Sequence, residues 1–187
     1  TDAGLLFDNH DVAGAGSISL TDPGFDGWVD PGAGSEIAPL SFTGWSMTLD
    51  SGAFAGMTAS GGAGGAGDDT PNAAENSSGT TTQTRLPLPT IAPGDTFTFG
   101  IDSIIIIDTT LAPGEVVATL TPNIGSPITL FDNTGSGFTN TTWGTLDGVP
   151  VTVNPDNAGA TSATLDITLT TAGSGSRSRI NNVTLDH

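Results

Sequence analysis

Cysteine, lysine and tyrosine are all missing from the 187 residues. Without cysteine the chain has no disulfide framework, no thiolate ligand and no thiol nucleophile, and its redox compartment must be judged from other features. Without lysine, the cationic side chains reduce to Arg85, Arg177 and Arg179, beside the histidines His10 and His187. The formal net charge of -17 therefore reflects missing base more than surplus acid, because Asp and Glu together number only 20. Phosphate recognition needs clustered Lys and Arg that displace counterions, so nucleic acid is not an expected partner. An anionic membrane surface is disfavoured for the same reason. Long apolar runs are lacking too. The longest, at 104–107, falls far short of the roughly 18 residues that cross a bilayer as a helix, so no membrane insertion is expected.

Helical periodicity is the next absence. No stretch repeats apolar residues at i, i+3, i+4 and i+7 for long, and 27 Gly and 12 Pro interrupt most of the chain. Period-two alternation takes its place. Ala163, Leu165, Ile167 and Leu169 alternate with Thr164, Asp166, Thr168 and Thr170, which gives a strand one buried and one wet face. Residues 96–102 alternate likewise and run into the apolar 104–107, a strand covered on both faces at the centre of the core. Further strands are read at 5–8, 17–21, 41–49, 81–86, 115–121, 128–131, 138–143, 149–153 and 179–185. Turns such as Asp22-Pro23-Gly24, Ala112-Pro113-Gly114 and Asp147-Gly148 separate several of them. This spacing predicts an all-β fold: an antiparallel β-sandwich, jelly-roll-like, of about ten strands with little or no helix. The length suits a single domain over 1–187. The segment 60–80, SGGAGGAGDDTPNAAENSSGT, holds no apolar residue larger than alanine and reads as a Gly-rich loop insertion outside the core.

Groups suited to catalysis are sparse. A Ser-His-Asp arrangement would rest on His10, since His187 is the last residue, and no Gly-x-Ser-x-Gly elbow occurs. Glu occurs only at Glu36, Glu75 and Glu115, and this spacing does not pair carboxylates for glycoside hydrolysis. The residues thus point away from an enzyme. Zinc needs more His or Cys than the chain has. Calcium is better served, because it takes hard oxygens from loop carboxylates, amides and carbonyls. Asp8, Asn9 and Asp11 fall in one short stretch, and Asp22, Asp26 and Asp30 recur in another. The plain alternative for both is a solvated acidic loop. Trp28, in FDGWVDPG, looks loop-borne and suited to stack on a sugar ring, whereas Trp45 and Trp143 sit in strand contexts that favour the core. Asn76, Asn140 and Asn182 head N-glycosylation sequons, a motif that arises readily in a Thr-rich chain.

The two ends carry a resemblance. Asp22-Pro23-Gly24-Phe25-Asp26-Gly27-Trp28 and Ser178-Arg179-Ile180-Asn181-Asn182-Val183-Thr184-Leu185 resemble the opening and closing phrases of extracellular jelly-roll domains of the carbohydrate-binding-module type. The chain also resembles bacterial exported proteins that carry a C-terminal sorting signal. The first resemblance implies a structural calcium between the last strand and the N-terminal one, with Asn181 as a ligand; Asp8, Asp11 and Asp26 of the acidic stretches are the candidate carboxylates beside it. Asn181 stands where the family usually has Asp, and its amide oxygen can still coordinate. Ile180 and Val183 have opposite parity, so keeping both inward requires a bulge between them.

Two functions compete. One is a non-catalytic, self-assembling subunit of an extracellular filament, sheath or matrix, joined through edge strands with 1–8 as the donor strand. The other is a carbohydrate-binding module of a secreted protein that takes a polysaccharide with Trp28. A first residue other than Met fits processing after export, which places the chain outside the cell or on its surface. Bound calcium would raise stability by mass action. Chelation with EDTA is expected to lower the melting temperature, and a melting curve indifferent to the chelator rules calcium out.

Overall fold

Alternating apolar and hydroxyl side chains give each strand one face to bury, and two sheets stacked on those faces bury them together. The computed structural model describes residues 16–22, 24–25, 35–37, 40–49, 55–59, 72–76, 80–107, 114–136, 144–171 and 177–187. Its strands are β1 (Ser35–Ile37), β2 (Leu40–Phe42), β3 (Trp45–Leu49), β4 (Ala55–Ala59), β5 (Asn72–Asn76), β6 (Thr80–Pro87) and β7 (Thr96–Ile107). They continue with β8 (Gly114–Pro122), β9 (Ile128–Asp132), β10 (Gly144–Asp147), β11 (Val151–Thr152), β12 (Ser162–Thr171) and β13 (Arg177–Asp186). Among the described residues the helical content is one 3-10 turn, Pro155–Asn157.

One sheet runs β1-β4-β5-β13-β7-β10, with β11 also on β7, and the other runs β2-β3-β6-β12-β8-β9. All these pairings are antiparallel. The order is that of a jelly roll. The pairs β8·β9, β7·β10, β6·β12 and β5·β13 nest one outside the next, as in a long folded ribbon. Rolling the ribbon places β13 beside β7 and β12 beside β8, which closes the two sheets. The antiparallel sandwich expected from the alternation is therefore the one that forms, with thirteen strands among the described residues where about ten were expected.

The core fills the space between the sheets. Phe97, Phe99, Ile101, Ile104, Ile180, Val183 and Leu185 come from the first, and Trp45, Met47, Leu86, Val116, Leu120, Leu165, Ile167 and Leu169 from the second. Each such burial contributes about 1.5–3 kcal/mol. Trp45 is a core residue, as its strand context implied. Its indole N–H donates to the carbonyls of Thr21 and Asp22, both at 2.8 Å, and Phe25 packs edge-on against it at 5.1 Å. Phe25 reaches that place through left-handed backbone at Asp22 (φ 56) and at Phe25 itself (φ 60).

The closing strand differs from expectation in its mechanism. Ile180 and Val183 both face the core, yet the β13·β7 register does not shift: Ile180 lies opposite Ile104 and Val183 opposite Ile101. Both strands change face together, so the two-against-one count of a bulge is absent from this ladder. Asn182, at φ 54, absorbs the change on β13, since asparagine tolerates the left-handed region. A register shift appears instead on the other side of β7, between Gly144 and Leu146 of β10.

Other expectations are corrected. Residues 17–21 make only an isolated bridge, Ser17 to Asp186, before the chain turns in toward Phe25. The run 41–49 is two strands, β2 and β3, because Gly44 at φ 75 turns the chain between them. The run 149–153 shrinks to β11, and Val149 is exposed. Conversely, β5 lies inside the stretch 60–80 expected as loop. Its residues, NAAEN, have no apolar alternation, and its partners β4 and β13 supply the ladder that its sequence does not announce. Strands expected at 5–8 and 138–143 fall outside the described residues.

The last residue is tied to the loop before β7. His187 N–H donates to Gly16 O, its ring packs on Phe97 at 4.9 Å, and its Nε2 lies 3.0 Å from Asp95 Oδ2. The Asp95 carboxyl is held below the usual carboxylate range. The main cause is the Ala92 N–H donating to Oδ2 at 2.7 Å; burial opposes it, and the His187 bond adds to it. An unfolded Asp titrates near 3.9, so this contribution is complete above that value and is lost as pH falls through the lower native one. Urea midpoints of the wild type are expected to drop between about pH 5 and pH 2, and Asp95→Asn is expected to drop less over the same range.

Candidate functional site

The wet face of the second sheet carries a groove. β6, β12 and β8 run side by side there, and their register sets Arg85, Thr164 and Thr121 in one row across three strands. Neighbouring strands lie about 4.8 Å apart, so the row spans roughly 10 Å. Pro87 and Pro122 end the ladders flanking β12, opposite Ser162 and Ala163. The groove has a volume of about 610 Å³, and Asn123, Thr161 and Ser162 complete its polar lining. Its surface is amphipathic: the exposed Pro87 and the threonine methyls lie beside hydroxyls, an amide and one guanidinium, and the buried Leu86, Pro122 and Ala163 complete the lining. Among the described residues Arg85 has no hydrogen bond or ion pair.

Two asparagines hold the rim. Asn123 Oδ1 accepts from the N–H groups of Thr161 (3.0 Å) and Ser162 (3.2 Å), while the Asn123 N–H donates to Ser162 O at 2.8 Å. Asn157 is wholly buried, and its Nδ2 donates to Ile124 O at 3.0 Å and Ser126 O at 2.8 Å. The Ser126 N–H and hydroxyl both donate to Asp156 Oδ2, at 3.0 and 2.6 Å. Gly125, at φ 86, lies so close that a Cβ there would meet Asn157 Nδ2 at 2.5 Å and Asp156 O at 2.6 Å. The loop joining β8 to β9 is thereby riveted to the segment leading into β12, and the groove's rim is preformed. Asn157 Oδ1 has no hydrogen-bond partner although it is buried.

Of the residues singled out from sequence, those that are described do not line the groove. Asp8, Asp11, Asp26, Trp28 and Asn140 fall outside the described residues. Asn181 stands on β13 opposite Ser103, Asn76 ends β5 opposite Ser178, and Asn182 is the half-buried kink residue. Among the described residues no three His, Asp or Glu side chains gather as a metal site. The groove residues passed unnoticed. A rare cation at an outward position of an alternating strand was the available signal at Arg85, but the row it belongs to depends on pairing with residues far along the chain.

No family model matches the chain, and no curated protein matches it. Solved structures do. The carbohydrate-binding module TmCBM61, solved with β-1,4-galactotriose, superposes with a TM-score of 0.53 at 12% identity, over 90% of this chain and 97% of that one. The chain has the fold of that module. A Stig cyclase, Fisc from Fischerella sp. TAU, gives a TM-score of 0.59 at 12% identity over 92% and 97%. A cyclase from Fischerella sp. TAU bound to 4-(1H-indol-3-yl)butan-2-one gives 0.58 at 14% over 91% and 97%. These likenesses establish the jelly-roll fold and lend no support to the resemblance to sorting-signal proteins.

The cyclases overturn one expectation. Lack of Cys, Lys and Tyr pointed away from an enzyme, yet chains of this fold include enzymes. Carboxylates alone can serve as general acid and base, and the chain has 20 Asp and Glu. Removing the rivet tests the rim: Asn157→Ala is expected to lower unfolding free energy by about 1–3 kcal/mol in urea titrations, since it removes both side-chain hydrogen bonds that tie the loop to the segment leading into β12.

Proposed function

We propose that the protein is an extracellular carbohydrate-binding module that holds a polysaccharide in the groove across β6, β12 and β8. The observation carrying this reading is the row Arg85, Thr164 and Thr121 within an open trough of about 610 Å³. Ligand sites commonly enclose about 300–1,000 Å³. A sugar ring has apolar C–H faces and a polar rim of hydroxyls that both donate and accept. The Pro87 ring and threonine methyls suit the first, and hydroxyls, the Asn123 amide and the guanidinium suit the second. An open sheet face lets a long chain enter and leave. The fold shared with TmCBM61 supports the same reading.

Self-assembly is less favoured. The sheets end in β1 and β10, and in β2 and β9, which have three, four, three and five residues. Short edge strands are a means of discouraging strand addition. Affinity electrophoresis in gels containing β-1,4-galactan or other polysaccharides is the test. Retardation of the wild type is expected, and the double substitution Thr121→Ala with Thr164→Ala is expected to weaken it about tenfold. Loss on Trp28→Ala with none on the double substitution would move the site to the loop, and no retardation in any gel would refute the reading.

A further inference from the structure

The charges of the chain are not spread evenly over the groove. Asp and Glu outnumber Arg by 20 to 3 in the whole sequence. The groove reverses that ratio: its lining includes Arg85 and neither Asp nor Glu. Asp166, two residues along β12 on the same face, pairs in register with Gln83 and lies outside the lining. We infer that the groove selects a polyuronate, a polysaccharide bearing carboxylates, and that Arg85 is the residue that reads the carboxylate. The inference rests on the carbohydrate reading above and adds the class of sugar.

The chemistry of the site favours a carboxylate. A guanidinium presents paired N–H groups in a planar fork that matches a carboxylate's two oxygens. Arg85 is exposed and has no ion pair among the described residues, so no resident acid needs displacing. Thr164 is its direct neighbour on β12, and Thr121 follows on β8, so hydroxyls stand beside the fork where a uronate ring carries its own hydroxyls. Asp166, a diagonal neighbour of Arg85 on the same face, opposes a polyanion at short range, and the rest of the net charge of -17 does so at long range. At 0.15 M salt the screening length is about 8 Å, so a guanidinium in contact outweighs carboxylates on distant faces.

Affinity electrophoresis and titration calorimetry with polygalacturonate, neutral β-1,4-galactan and the sulfated galactan carrageenan test the inference. The wild type is expected to bind polygalacturonate most tightly. Arg85→Gln is expected to weaken that binding roughly tenfold to a hundredfold, the size of one lost charge-assisted pair, and to weaken galactan binding far less, by about the few-fold of one lost neutral hydrogen bond. Arg85→Lys, which keeps the charge and loses the fork, is expected to recover part of the affinity. Melting curves establish that both variants are folded. Equal weakening toward polygalacturonate and galactan, tighter binding of galactan or of carrageenan, or no effect of Arg85→Gln would each overturn the uronate inference and leave the carbohydrate reading standing. Binding of none of the three, nor of any other polysaccharide, would overturn both.

Discussion

The placement of β12 between β6 and β8 is the constraint on which the core and the groove both depend. Its partners run without a register shift from Ser162 opposite Pro87 to Leu169 opposite Thr80, and from Ala163 opposite Pro122 to Thr171 opposite Gly114. On one face it buries Ala163, Leu165, Ile167 and Leu169, and on the other it presents Thr164 to the groove. A slip of one residue would turn every one of those side chains over, trading Leu165 for Thr164 in the core. The hydrophobic effect that fixes the register therefore also fixes which hydroxyls stand beside Arg85. Stability and the lining of the groove are set by opposite faces of one strand.

That coupling explains what could be read from the sequence and what could not. Strands with strict alternation, β12 above all, were legible because their own residues declare which face is buried. The same holds for β8 and β9. β4 and β5 were not, because Ala, Gly and Asn neither alternate nor favour strands, and their ladders come from neighbours remote in sequence. The Ile180 to Val183 parity conflict was visible, but its resolution was not. Whether one strand bulges or both turn together depends on β7, whose Ile101 and Ile104 show the same conflict in mirror order. The groove was invisible for a like reason. Arg85, Thr121 and Thr164 become neighbours only when three strands are aligned, and no local spacing foretells that alignment.

The scarcity of positive charge acquires a physical meaning beside this geometry. A surface without lysine has few groups that could cross-pair with its own carboxylates, so each arginine that stands free is available to something outside. Arg85 is held on a rigid strand, with its neighbours fixed by the ladder and the rim locked by Asn157 and Gly125. Binding to such a site costs little ordering of the protein, and the affinity lost to immobilising loops is correspondingly small.

The jelly-roll fold does not by itself choose between a sugar and an aromatic substrate, since solved structures of this fold hold galactotriose in one case and an indole ketone in another. The lining does discriminate. An indole is a broad apolar plane with one donor, and burying it is favourable where aromatic or large aliphatic walls close over both faces. The groove across β6, β12 and β8 has no aromatic side chain in its lining and stays open along the sheet, while its polar groups are spread along a line. Such a surface would leave an indole half wet and its own guanidinium unused. A polyhydroxylated chain laid along the row would meet a hydrogen-bonding group at each strand, which is the physical ground for proposing a polysaccharide at this face.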